Sequence, residues 1–95
     1  MTPPEKPFLA NSLFLLVARY QSPVVPLETI VKDYFSHMQI AEARRRANNQ
    51  QLPFPAFRSE PDNKKSTWMV NLADLAVYLD KQSQIAQQDH QAMHA

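Results

Sequence analysis

Glycine and cysteine are both absent from the 95 residues of this chain. Without glycine, the chain cannot form the glycine-rich phosphate loops or the dinucleotide fingerprint that many nucleotide-binding enzymes use. Without cysteine, neither a disulfide scaffold nor a zinc site with thiolate ligands can form. The turns must therefore be made by proline, asparagine, aspartate and serine.

Long apolar runs and a strong charge of one sign are also lacking. No run approaches the roughly 20 apolar residues that cross a bilayer, and Leu13–Ala18 is too short for a usual signal core. Ten Lys and Arg residues stand against nine Asp and Glu residues, which gives a net charge of +1. We therefore expect no membrane segment and no bulk polycation. An apolar share of 44% is ordinary for a folded domain and argues against wholesale disorder.

No catalytic constellation stands out among the polar residues. The carboxylates are scattered along the chain, and no grouping of serine, histidine and acid can be assigned. His90 and His94 are spaced i, i+4, but only Asp89 lies nearby, whereas zinc needs three or four ligands. We interpret the two histidines as part of a solvated tail. The sequence predicts no enzyme activity, no cofactor and no metal site.

Helical periodicity predicts one domain between two polar ends. Residues 1–10 read as a flexible arm, 11–82 as the folded domain and 83–95 as a polar tail that frays. Pro26 suits the first turn of a second helix, and Asn71 is expected to cap the last helix. The apolar stripes of the helices predict a shared core: Leu16, Ile30, Tyr34, Ala43, Leu75 and Leu79.

The stretch Gln39–Arg58 joins a short cationic helix to a proline-marked strand. Ser36 and Gln39 have the spacing of a capping box at the start of this helix. The position that ends this helix, where a left-handed glycine is usual, falls within residues 48–50. An asparagine there is expected to adopt the left-handed conformation. A hairpin follows, with strands over 54–58 and 67–70. The order predicts a mainly α fold with a small β-hairpin, a winged helix-turn-helix.

On a helical wheel, Ala43 and Ala47 face the core, and Arg45 lies near the centre of the outward face. Such a face suits a DNA major groove, where arginine binds guanine bidentately and asparagine reads adenine. Arg44 is expected to reach a phosphate or to pair with an acid. Trp68 and Phe57 are expected to pack the hairpin onto the core. The predicted DNA-binding residues are Ala41, Glu42, Arg44, Arg45, Arg46, Asn48, Asn49, Arg58, Lys64 and Lys65.

The segments NSLFLLVARY, VVPLETIVKDYF, LPFPAFR and VNLADLAVYLD, with their spacing, resemble the pyocin activator protein family over about residues 11–81. The family comprises small bacterial and prophage regulators that switch on bacteriocin-type gene clusters. The order of elements is also similar to excisionase and MerR-type winged-helix modules, in which a glycine stands at the position of Gln50. The resemblance implies sequence-specific binding of double-stranded DNA, transcriptional activation, and a bacterial cytoplasmic, nucleoid-associated location.

Three function classes remain open at this stage. The first is a DNA-binding activator with RNA polymerase as a second partner, and the second is an excisionase-type factor that bends DNA for recombination. The third is an adaptor whose arginines meet an acidic protein, and the charged helix face could also be merely solvated. Because one small domain offers about five phosphate contacts, we expect a homodimer or cooperative assembly on DNA. The apolar first helix and the glutamine-rich tail are the surfaces available for it.

Overall fold

The computed structural model describes residues 5–94, with side chains from residue 12 onward. Within this range the chain is mainly helical and carries one small antiparallel sheet. The elements in chain order are α1 (Glu5–Tyr20), β1 (Val24–Pro26), α2 (Leu27–Tyr34), α3 (Ile40–Asn48), β2 (Phe57–Arg58), β3 (Trp68–Asn71) and α4 (Leu72–His94). This arrangement is compatible with a winged helix-turn-helix. No helix within residues 5–94 combines the length and the apolar character needed to cross a membrane.

The sheet has the strand order β1–β3–β2, and both pairings are antiparallel. Strands β2 and β3 form the predicted hairpin, and we call its connecting loop, residues 59–67, the wing. β1 was expected only as an extended piece, yet Val25 pairs with Val70 and both are buried. The strand thereby fastens the start of α2 to the base of the hairpin.

The core is one cluster to which every described helix and the sheet contribute. Four of the predicted core residues, Leu16, Ile30, Ala43 and Leu75, are buried in it. Tyr34 and Leu79 are partly buried against the same cluster. The predicted sharing of one core is therefore confirmed.

The joint between α2 and α3 is a short turn, residues 35–39, held by aromatic packing. The Phe35 ring lies 5.8 Å from that of Phe54 and 6.1 Å from that of Tyr78, measured between centroids. These contacts tie the joint to the proline-marked loop after α3 and to α4. The tight joint fixes the direction in which α3 leaves the core.

Helices α1 and α4 pack against each other, and polar contacts of Ser12, Arg19 and Tyr20 hold α1 in place. Ser12 Oγ donates a hydrogen bond of 2.6 Å to Asp80 Oδ1, which is buried. At the other end, Tyr20 donates one of 2.6 Å to Asp33 on α2. Burial and this hydrogen bond raise the pKa of the Tyr20 phenol. Arg19 stacks over the Tyr20 ring and pairs with Asp33 at 3.3 Å.

The helix boundaries differ from the expected ones at both ends of the domain. α1 begins at Glu5, so the part of the expected arm from residue 5 onward belongs to a helix, while residues 1–4 lie outside the described residues. α4 continues to His94 instead of fraying after residue 82, because Gln and Ala, which recur there, are good helix formers without packing. Beyond residue 82, polar composition therefore indicated exposure and not loss of helix.

Local details of the caps also differ from the expectations. Gln39 is itself the N-cap of α3 and makes no side-chain cap bond, so the capping box from Ser36 is wrong. The left-handed residue after α3 is Gln50, with φ of 55°, whereas Asn49 has φ of −96°. The cap of α4 is confirmed, since Asn71 Oδ1 accepts a 2.9 Å hydrogen bond from the Ala73 amide.

Phe57 does not pack onto the core as expected. Its side chain is 44% exposed. The register explains this: Phe57 pairs with Met69, whose side chain leaves the sheet on the face opposite to that of the buried Val70. The expectation for Trp68 is confirmed, because its ring packs against the core cluster.

Candidate nucleic-acid interface

A basic cleft of about 620 Å³ separates α3 from the wing. Leu27, Ile40 and Trp68 supply the apolar part of its lining. The charged part consists of five cationic side chains and one carboxylate: Arg44, Arg45, Arg58, Lys64, Lys65 and Glu28. The cations come from two elements that are distant in sequence, so the fold concentrates a positive charge that the net charge of +1 conceals.

The α3 wall of the cleft follows from the helical period. Ala43 and Ala47 are buried, which places Arg45 on the opposite side of the helix, facing outward. The Arg45 side chain is 61% exposed and that of Arg44 is 57% exposed. Both reach solvent at the cleft, so both are available to an anionic partner.

Each arginine of α3 has a carboxylate nearby, but the pairs are unequal. Glu42 Oε2 accepts a hydrogen bond from Arg46 and lies 3.9 Å from Arg45 Nη2. Arg44 Nη2 lies 3.6 Å from Glu28 Oε1, across the joint on α2. The pairs involving Arg44 and Arg45 are long and exposed, and such pairs contribute only about 0–1 kcal/mol. An incoming phosphate or base edge could displace them at little cost.

The wing supplies the opposite wall. Lys64 and Lys65 are exposed at its tip and line the cleft. Arg58 also lines it, but its guanidinium stacks on the Trp68 ring at 4.5 Å and donates to the carbonyl oxygens of Lys64 and Ser66. Arg58 was expected to neutralise a phosphate, and in this structure its Nη1 donates to the backbone of the wing.

The other predicted residues lie on α3 outside the cleft. Ala41 is exposed, and Glu42 and Arg46 form the half-buried pair on the far flank of the helix. Asn48 and Asn49 are exposed at the C-terminal end. They remain predicted base-edge or phosphate contacts, because a groove-bound helix can use its whole outward face.

Glu28 and Trp68 are among the cleft residues that the sequence did not assign to the site. Glu28 lies in the first turn of α2, and its approach to Arg44 depends on the angle between α2 and α3, which the sequence does not reveal. Trp68 stands beside Arg58 because of the strand register. A hairpin predicted with residue 58 opposite residue 68 would have placed Arg58 beside Trp68.

Within residues 5–94, no group of three or more His, Cys, Asp or Glu side chains is arranged to hold a metal ion. His94 instead approaches the carbonyl oxygen of His90, at 2.9 Å from Nδ1, and the two rings stack.

The comparison with protein families gives a match over most of the sequence: the family model described as "Pyocin activator protein PrtN" matches residues 12–86. This span includes the cleft, the wing and the first part of α4. No curated protein and no solved structure matched the chain. The family is regulatory and not enzymatic, and its role is the activation of transcription in prophage-related pyocin systems. Since the match covers so much of the sequence, the chain belongs to the pyocin activator protein family.

Proposed function

We propose that the chain is a winged helix-turn-helix protein that binds double-stranded DNA in a sequence-specific manner. In this proposal it activates transcription of a bacteriocin or prophage-like gene cluster in the bacterial cytoplasm, on the nucleoid. The observation that carries it is the basic cleft, in which an outward arginine helix and two exposed lysines face one another. RNA polymerase is the second partner that an activator requires.

The positions of the cationic residues in the cleft support different roles for them. Arg45 lies at the centre of the outward face of α3, so it is the residue that we assign to guanine. The flanking cations are assigned to phosphates, because a phosphate needs a positive charge and no bidentate donor geometry. These cations are Arg44, Lys64 and Lys65. The carboxylate of Glu42 holds Arg46 and stands within reach of Arg45, which would orient the guanidinium of Arg45 before contact.

We also propose that the protein binds as a dimer or cooperatively on repeated sites. Phe14 is 69% exposed and Leu15 is 64% exposed on α1, on the side away from the buried Leu16. The chain carries no charged residue between Lys6 and Arg19. An uncharged apolar helix face can pack against a second copy without like-charge repulsion. Its burial there would remove apolar surface from water, which is favourable.

The experiment begins with selection of bound sequences from a random duplex pool. Arg45→Lys and Arg44→Lys are then compared on single-base variants of the selected site. Arg45→Lys should lose roughly 1–3 kcal/mol of discrimination at one base pair, because lysine cannot form the bidentate contact. Arg44→Lys is the matched control and should keep the preference, since it retains the charge.

Two outcomes would contradict the proposal. A pool that yields no enriched sequence, with binding abolished by heparin, would favour an adaptor for acidic partners. If Arg44→Lys loses base preference and Arg45→Lys keeps it, α3 presents a different face and the assignment of Arg45 is wrong.

A further inference from the structure

Arg58 makes its three described contacts inside the hairpin. On the neighbouring strand, Trp68 pairs with it in register, and the guanidinium carbon lies 4.5 Å from the centroid of the indole ring. Arg58 Nη1 donates to the carbonyl oxygen of Lys64 at 2.8 Å and to that of Ser66 at 3.2 Å. One side chain thus bridges the base of the hairpin and the far side of the wing.

The wing adds contacts of its own around this bridge. Asn63 Oδ1 accepts a 2.9 Å hydrogen bond from the Lys65 amide, and Asn63 Nδ2 donates to Glu60 at 3.0 Å. Ser66 Oγ lies 2.8 Å from the Glu60 carbonyl oxygen and 2.7 Å from that of Asn63, so its proton can be donated to either. The backbone on both sides of Lys64 and Lys65 is therefore held, although both side chains are exposed.

Lysine could not take the place of Arg58 here. The planar guanidinium stacks on the indole face while its N–H groups point in fixed directions at two carbonyl oxygens. An ammonium group is a point charge without this fork. An arginine at position 58 is therefore better suited to holding the wing than to neutralising a phosphate, for which a lysine would serve as well.

We propose that Arg58, supported by Trp68, is a positioning residue that holds Lys64 and Lys65 at the mouth of the basic cleft in a conformation ready for phosphates. This role rests on the DNA binding proposed above. Ordering a flexible loop on binding opposes affinity, and a wing whose backbone is already ordered avoids that cost. Arg58 acts through the two lysines and not through its own charge.

A double-mutant cycle separates positioning from direct contact. Affinity for one selected duplex is measured by fluorescence anisotropy for four proteins: the unchanged chain, Arg58→Lys, the Lys64→Ala/Lys65→Ala double variant, and the triple variant. With the lysines present, Arg58→Lys should weaken binding by about 2- to 10-fold, the usual range for the cost of ordering a flexible interface segment on binding. In the double-alanine background, the same substitution should change affinity by less than about 2-fold.

An equal reduction of affinity in both backgrounds would overturn the proposal, because Arg58 would then act independently of the lysines. Full affinity in Arg58→Lys would also overturn the proposal. It would indicate a direct phosphate contact by residue 58, since such a contact needs only the positive charge. Salt dependence provides a check: the double-alanine variant should flatten the slope of log K against log salt by roughly 1–2 units, about 0.9 for each phosphate that the protein no longer neutralises.

Hydrogen exchange in the free protein tests the positioning without DNA. The Lys65 amide, bonded to Asn63, should exchange faster in Arg58→Lys and stay unchanged in Arg44→Lys, the matched substitution on the opposite wall. Unchanged exchange in Arg58→Lys would overturn the positioning role. Faster exchange in a protein that binds no duplex in any variant would instead overturn the proposed function, and with it the use of this positioning for phosphates.

Discussion

Leu75→Ala is the substitution that most directly tests how α4 closes the domain. Leu75 is 0% exposed and lies in the core cluster with Ile30 and Leu72. Truncation removes three carbon atoms, a transfer loss of about 2.4 kcal/mol at roughly 0.8 kcal/mol per buried carbon. A residual cavity adds to this, so we expect the free energy of unfolding to fall by about 2–5 kcal/mol.

Val77→Ala on the same helix is the matched control. Val77 is 58% exposed, so its truncation removes little buried surface. Alanine is also the better helix former, by about 0.5 kcal/mol. The two changes therefore differ in burial while sharing the helix and the final residue, and Val77→Ala should stay within about 0.5 kcal/mol of the unchanged protein.

Equilibrium unfolding in urea measures both variants, with helicity by circular dichroism and the single tryptophan, Trp68, as independent probes. The two probes should give coincident transitions if the domain unfolds as one unit. A small domain has roughly 5–10 kcal/mol of total stability, so the destabilisation from Leu75→Ala should move the midpoint strongly. A change below about 0.5 kcal/mol would show that Leu75 is not in the core and would refute this packing of α4.

Two other predictions concern the turn after α3 and assembly. Gln50→Gly should raise the free energy of unfolding by up to about 1 kcal/mol, because Gln50 has φ of 55° and a side chain there is strained. Gln51→Gly is the control: Gln51 lies outside the positive-φ region, so its replacement by glycine should lower the free energy of unfolding. Phe14→Glu should abolish dimers in light scattering and cooperative binding to a repeated site, while circular dichroism stays unchanged. A strict monomer that binds without cooperativity before any substitution would refute the assembly proposal.

The helical part of this fold could be predicted from the sequence because burial follows its periodicity. Leu16, Ile30 and Leu75 stand in stripes of period 3.6, and each is buried. The ends of the helices were harder to predict. Residues beyond 82 have no apolar stripe, yet α4 continues there, since local helix propensity does not require a buried face.

The sheet could be predicted only in part, because pairing depends on contacts that are distant in sequence. The hairpin was expected from its prolines and its polar turn. The pairing of Val25 with Val70 was not, since nothing near β1 identifies its partner. The same limit applied to Phe57, whose face is decided by register.

Residue type indicated which residues of α3 could contact a polyanion, but not how their charges are balanced. Arg44, Arg45 and Arg46 are adjacent and look equivalent by composition. In the fold, Arg46 is hydrogen-bonded to Glu42, and Arg44 faces Glu28 from another helix. Pairing of Arg44 with an acid was one of the two expectations for it, but only the relative placement of α2 and α3 makes Glu28 that acid, and no local pattern could have predicted this partner.

This balance of charges has a consequence for the proposed function. Phosphate attraction is independent of base sequence, so a cleft of unopposed cations would raise affinity for every duplex alike. Glu28 lies in the cleft and adds a repulsion that any phosphate beside Arg44 must meet. If the protein binds DNA as proposed, the carboxylate should weaken binding without altering the proposed reading of bases by Arg45. In this proposal, discrimination between sites depends on the outward face of α3, while the two lysines of the wing and Arg44 set the overall affinity.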